Sequence, residues 1–247
     1  MPCLLLEDHN LVKTIKFKNT NYIGDPINVA KIYNEKEVDE LIILDIKAST
    51  ENKEPSYEII RDIASECFMP LTYGGGIKNI ENIKKIFSLG VEKIIINTHA
   101  VENPFFVKEI SNLFGSQSIV ISLDVKKTAF DKYEIFSYGG RKPSGIDPLL
   151  FAIEMERMGA GELFLNSIDR DGTMEGYDIP LIKKITGSIT IPLIACGGAG
   201  KIDDFADAVK IGGASAVASG SMVVYQGRNR SVLINFPSPE ELNSILG

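Results

Sequence analysis

Three aspartates stand at or just past the ends of apolar, β-branched runs. Asp45 closes LIILD, Asp124 closes SIVISLD, and Asp169 follows ELFLNSI. A carboxyl group at a strand end can give or take a proton as general acid or base, or it can cap the turn that follows. Asp124 is the sharpest candidate, because the Lys-rich stretch Val125-Lys126-Lys127 continues from it. A second chemistry, anion binding, occurs twice. LTYGGGIK (71–78) and LIACGGAGK (193–201) each set a Gly-Gly turn between an apolar run and a helical pattern. Such a turn exposes backbone N–H groups at a helix start, where a phosphate can sit. The two patterns lie 197 − 74 = 123 residues apart, half of 247, and the same offset lays Gly90 on Gly213 and Asn97 on Gly220. One Gly-Gly turn is as readily a tight turn as a site. Two at equivalent positions favour a ligand with a phosphate at each end.

The first phosphate set is read from Asp171 and Gly172 in SIDRDGTMEGYD (167–178), with Gly198, Ser219 and Gly220. Its partner in the other half is Gly76, Asn97 and Thr98. Laying the first strand on the fifth puts Leu5 at the position of Asp124, so a mechanism that needs two facing carboxylates is in doubt. Glu40, Lys93 and Glu162 each begin a strand. Inward-facing charges there would meet near the axis of a closed sheet and would have to pair, forming a plug or gate, because an isolated buried charge is costly. Exposed strand-start charges are the plainer reading. Lys13 could reach a phosphate or remain a solvated charge. His9 and His99 are lone histidines of the kind that are usually structural.

These positions require alternating elements. Strands are expected over 3–6, 41–46, 70–73, 93–97, 118–124, 162–167, 191–196 and 215–219, several of them apolar throughout as befits strands covered on both faces. Helical patterns fall at 27–36, 79–89, 103–113, 147–158, 179–186, 203–211 and 238–246. The last starts at a Ser238 cap followed by Pro239, where a missing N–H matters least. Eight strands with intervening helices predict a (β/α)8 TIM barrel of α/β class, with an open doubly wound sheet as competitor. The half-chain repeat favours closure from two half-barrel repeats, about 1–120 and 121–247, within a single domain spanning 1–247. The longest irregular stretch, 126–146, follows strand five. It is either a mobile lid with a small hairpin or a plain surface hairpin.

Hydrophobic residues make up 44% of the chain, enough for a full core, and the net charge of −7 argues against a nucleic-acid surface. The apolar runs are too short to span a membrane and MPCLLLEDHN is too acidic for a signal peptide, so a cytoplasmic protein is expected. Cys3, Cys67 and Cys196 are odd in number, lack metal spacing and read as reduced thiols. With two histidines in the chain, no metal site and no cofactor are expected.

The segments GDP (24–26), DELIILDI (39–46), YGGGI (73–77), INTHAVENP (96–104), FGSQSIV (114–120), GAGELFLNSIDRDGTMEGYD (159–178) and IPLIACGGAGK (191–201) resemble the cyclase subunit of imidazole glycerol phosphate synthase, HisF. The resemblance covers nearly the whole chain. It implies a barrel paired as a heterodimer with a HisH-type glutaminase, whose ammonia crosses the barrel interior to a bisphosphorylated substrate. Carried over by position, Asp124 matches one of the two catalytic aspartates and the other falls on Leu5. Lys13 matches the loop lysine, and Glu40, Lys93 and Glu162 match three members of the ammonia-gate ring. That ring's arginine would lie upstream of Met1, as if the chain began late. The departure at Leu5 points to a diverged relative. Three functions therefore stand side by side: a histidine-pathway cyclase, a paralogue channelling ammonia for amidino-sugar synthesis in surface polysaccharide, and a non-catalytic scaffold that docks a glutaminase. SIDRDGT and the gate ring argue against a fourth, a sugar-phosphate isomerase of the sister family.

Overall fold

The barrel strands are β1 Cys3–Glu7, β2 Leu41–Asp45, β3 Leu71–Gly74, β4 Lys93–Ile96, β5 Ile119–Lys127, β6 Glu162–Ser167, β7 Leu193–Cys196 and β8 Ala216–Val217. The computed structural model describes residues 1–227 and 229–247. Each strand pairs in parallel with the next, from β1 to β8. Closure comes from a parallel bridge between Pro2 and Ser219. Here the Cys3 N–H donates to Ser219 O at 2.8 Å and the Ser219 N–H to Met1 O at 3.0 Å. The eighth strand is shorter than its apolar run because residues 218–219 change partners: Ala218 still bonds Ala195 O, whereas Ser219 has crossed to β1.

Alternation along the strands sorts the side chains. Leu4, Leu6, Leu41, Ile43, Ile94, Ile96, Ile119 and Ile121 point outward into a continuous layer against the helices. Cys3, Ile42, Ile95, Val120, Phe164, Ile194 and Ala218 point inward and fill the lumen. This mix of small and large side chains lines the barrel interior with an apolar layer. Helices form where the apolar spacing predicts them: α1 Pro26–Glu35, α3 Ile80–Ser88, α4 Pro104–Phe114, α5 Pro148–Arg157, α6 Ile179–Thr186, α7 Asp203–Ala206 continuing into a π turn over Asp207–Ile211, and α8 Pro239–Leu246. Ser238 and Glu241 complete a reciprocal capping box at the start of α8. The helix α2, Tyr57–Glu66, was not expected; only Ile59, Ile60 and Ile63 form its buried stripe. Among the described residues no helix is long and apolar enough to cross a membrane.

Two hairpins rise from the barrel's C-terminal rim, one in each half. After β1 the chain runs Asn10–Ile15 and back over Lys18–Gly24. After β5 it runs Tyr133–Ser137 and Lys142–Pro143, within the stretch read as either a mobile lid or a plain surface hairpin. The first hairpin was not expected, because both of its turns, Asp8-His9 and Lys16-Phe17, place non-glycine residues at φ between +46° and +70°. Such turns normally announce themselves through Asn or Gly.

Candidate active site

The C-terminal ends of the strands and the two hairpins enclose a cavity of about 820 Å3. Asp124 and Leu5 both line it. Asp124 accepts a hydrogen bond from Ser122 Oγ at 2.9 Å. Burial, reinforced by the negative charge of Asp171 and opposed by the Ser122 hydroxyl, raises its pKa from 3.8 to about 7. A carboxyl group poised there exchanges protons readily at neutral pH, as a general acid or base requires. Leu5 is 8% exposed and presents only methyl groups to the same space. Of the strand-end aspartates, Asp124 alone is left for chemistry. Asp45 caps its own turn, accepting from the Lys47 and Ala48 N–H groups, and Asp169 accepts from the Lys127 N–H at the base of the second hairpin.

The first cradle forms where Gly197-Gly198 meets Ser219-Gly220. Gly198 has φ +117° and packs against Gly176 so closely that a Cβ would strike the Gly176 carbonyl. Lys13 reaches this cradle from the first hairpin. It is 4% exposed, and its ammonium lies against Gly220, where an added Cβ would land on Nζ. The one hydrogen bond of that ammonium among the described residues is a long one, 3.5 Å to Cys3 O. The Ser219 and Ser221 hydroxyls and Asn166 Oδ1 are buried without protein partners. Buried polar atoms are nearly always satisfied, so a cavity wall carrying an under-coordinated ammonium and two orphan hydroxyls suits an oxyanion. Ser221 and Asn166 were not anticipated. The signal for Ser221 was present, since 98 + 123 = 221 sets it on Thr98.

Two residues assigned to this cradle serve differently. The Asp171 carboxylate accepts from Thr14 Oγ1 at 2.7 Å and from the Phe17 N–H at 3.2 Å, while its carbonyl accepts from the Lys16 N–H. It therefore holds the Lys16-Phe17 turn in place at the cavity wall. Gly172, at φ +70°, lets the Thr14 carbonyl pass where a side chain would collide.

The second cradle joins Gly74-Gly75 to Asn97-Thr98. Gly75 reaches the cavity wall, while Gly76, expected there, sits behind it with its N–H on Ser49 Oγ. Asn97 Nδ2 donates to Ser122 O and Phe136 O, both at 3.1 Å, and Thr98 Oγ1 accepts from the Tyr138 N–H at 3.0 Å. His9 is exposed in a turn, and His99 packs edge-on to Phe106 with its pKa lowered by burial; neither lines the cavity.

At the opposite end of the lumen Lys93 Nζ bonds Glu40 Oε2 at 3.0 Å and Glu162 Oε1 at 2.9 Å, and Thr72 Oγ1 donates to Glu40. Burial works against the Lys93 charge, but the two carboxylates outweigh it and raise its pKa. The expected ring of three is thus brought together, with Glu162 Oε2 left unpartnered. Among the described residues no three potential ligands cluster for a metal ion.

A family model described as histidine biosynthesis protein matches residues 1–229. The chain is 51% identical over 243 residues, 98% of its length and 97% of the relative, to a Pseudomonas aeruginosa protein named "Putative imidazole glycerol phosphate synthase subunit hisF2". A Leptospira interrogans protein named "Putative imidazole glycerol phosphate synthase subunit HisF" is 48% identical, covering 99% of this chain and 97% of its own. A Vibrio vulnificus hisF3 counterpart is 45% identical, covering 100% and 95%.

Proposed function

The chain belongs to the histidine biosynthesis protein family, and from that premise we propose that it is the cyclase-type subunit of a glutamine-dependent synthase of the imidazole glycerol phosphate synthase kind. Ammonia from a HisH-type glutaminase enters beside Glu40, Lys93 and Glu162, crosses the lumen, and meets a bisphosphorylated ribonucleotide in the cavity above. Asp124 is the acid–base group, and Lys13 with Ser219, Gly220 and Ser221 holds one phosphate. The observation that carries this reading is the neutral-pH Asp124 beside a cradle of unpartnered donors, on the same axis as a paired charged ring. A net charge of −7 does not oppose it, because Lys13, Lys16, Lys18, Lys47, Lys126 and Arg141 all line this one cavity.

One feature favours a second reading. Leu5 removes the carboxylate that would face Asp124, which fits a relative that passes ammonia to another enzyme, as in amidino-sugar synthesis, instead of closing an imidazole ring itself. One experiment separates the two. The purified chain is given the bisphosphorylated intermediate and excess ammonium salt, and imidazole product is followed. Turnover supports the cyclase. Its absence in the wild type, with activity appearing in Leu5→Asp, supports the conduit and identifies the missing carboxyl as limiting. A general acid–base group contributes roughly 10²–10⁴-fold, so the gain would be large. Silence in both proteins would sink the acid–base role given to Asp124.

A further inference from the structure

The inward side chains of β5 form a column. Val120 belongs to the apolar layer of the lumen, and Ser122 and Asp124, on the same side of the strand, line the cavity above it. Ser122 therefore stands between the lumen and the carboxyl group. Its hydroxyl donates to Asp124 Oδ1 at 2.9 Å. That proton is committed to the carboxylate, whereas no donor among the described residues takes up the lone pairs of Ser122 Oγ. The serine is 5% exposed, and its carbonyl is braced by Asn97 Nδ2 at 3.1 Å. Asp124 Oδ2 has no protein partner among the described residues and reaches the open cavity. The matching column of the other half holds Cys3 and Leu5, a thiol and methyl groups, with no carboxyl group to receive a proton.

We propose that Ser122 is a catalytic residue, a hydroxyl relay that carries a proton to Asp124 from a nitrogen nucleophile arriving through the lumen. The relay rests on reading the cavity as the place where ammonia meets a bisphosphorylated ligand. As the ammonia nitrogen gives its lone pair to an electrophilic carbon of that ligand, the pair displaced from the carbon stays on the ligand and the nitrogen becomes cationic. The nitrogen then releases a proton to a lone pair of Ser122 Oγ, and the proton already on Oγ passes to Asp124 Oδ1. One N–H and one O–H bond break, and two O–H bonds form. The nitrogen ends neutral, the serine is regenerated, and Asp124 passes from carboxylate to carboxyl. From the cavity side Asp124 returns that proton to the ligand. One carboxyl group thus serves both reactants, the nitrogen from below through Ser122 and the ligand from above directly.

The test is turnover of the bisphosphorylated intermediate with ammonium salt, in wild type or, where wild type is silent, in Leu5→Asp. Each parent is compared with its Ser122→Ala and Ser122→Thr forms. Alanine removes the relay and leaves the carboxyl group, whereas threonine keeps the hydroxyl. In Ser122→Ala kcat should fall roughly 10²-fold, the low end for a group that moves a proton, while KM for the bisphosphorylated ligand stays as in the parent. Ser122→Thr should recover most of the loss. A second readout needs no turnover. The Ser122 hydroxyl favours the ionised carboxylate, so the Asp124 carboxyl signal in NMR should titrate at higher pH in Ser122→Ala and return in Ser122→Thr. Parental kcat in Ser122→Ala, or a threonine form as slow as the alanine form, would overturn the relay. So would an Asp124 titration that Ser122→Ala leaves unmoved. Silence of wild type and Leu5→Asp alike, with the Ser122-dependent titration intact, has a different meaning: the acid–base role of Asp124 itself fails, and the relay falls with it.

Discussion

The two half-barrels share a backbone and divide the chemistry. Asn97 and Gly220 precede their short helices at almost the same dihedral angles, −115°, −77° and −109°, −74°. Gly75 and Gly198, again 123 residues apart, have φ of +122° and +117°. Strand pairing extends the match to the hairpins: Leu5 lies opposite Val12, and Asp124 opposite Phe136, which sets Lys13 against Ser137. Where one half has the carboxyl group, the other has methyls. Where one hairpin carries an ammonium, the other carries a hydroxyl. Where one helix start has glycine, which admits Lys13, the other has asparagine, which ties down the opposing hairpin. Symmetric scaffolding thus fixes positions, and single side chains decide which half carries the ammonium and which the carboxyl group.

The largest test of that division is Asp124→Asn. It removes the one acid–base group of the pair, and turnover of the bisphosphorylated intermediate with ammonium should fall roughly 10²–10⁴-fold with little change in phosphate affinity. If turnover persists, proton transfer is not divided as described. Next come the reciprocal exchanges at the helix starts. Gly220→Asn puts a Cβ where Lys13 Nζ now lies and should weaken inorganic phosphate binding about tenfold or more by calorimetry, since one charge-assisted contact is displaced. Asn97→Gly deletes the bonds to Ser122 and Phe136 and should lower stability to urea by about 1–2 kcal/mol, while loosening the second hairpin. Equal phosphate affinity in wild type and Gly220→Asn would mean that glycine at this position is not what gives Lys13 its role.

The same carboxyl group also makes stability depend on pH. With the Asp124 pKa raised from 3.8 to about 7, the native state keeps a proton that the unfolded chain has released between those values. The contribution of Asp124 to stability is therefore greatest at low pH and falls as pH rises through that window. Asp124→Asn should flatten this part of the curve in urea titrations between pH 4 and pH 8, whereas substitution of Leu5 by another apolar residue should leave its slope unchanged.

The barrel was legible because its strands are covered on both faces and so read as unbroken apolar runs, as in LIILD and KIIIN. The charged ring was half legible: charges at three strand starts allowed Glu40, Lys93 and Glu162 to meet at the axis, but spacing alone made exposed charges the plainer reading. The first hairpin was not, since Lys16-Phe17 turns with positive φ under the hold of Asp171, a tertiary contact spanning more than 150 residues. For the same reason the hold of the Asp171 carboxylate on Thr14 and the Phe17 N–H was not foreseen. Proximity to a Gly-rich turn pointed to a ligand instead. Leu5 was visible as a departure because both the repeat, through Asp124, and the family resemblance set an aspartate at its position.

The barrel is sewn shut at one place, by the contact of residues 1–3 with Ser219, next to a final strand of two residues. The first cradle lies on that same stitch, since Ser219 and Gly220 belong to it and Lys13 arrives from the first strand's side. An occupant there clasps the beginning of the chain to its last barrel strand, so filling the site also hinders unzipping. At a hundredfold excess over its dissociation constant such a guest adds about 2.7 kcal/mol of resistance to unfolding. Substrate supply would then govern how long each molecule survives as well as how fast it works.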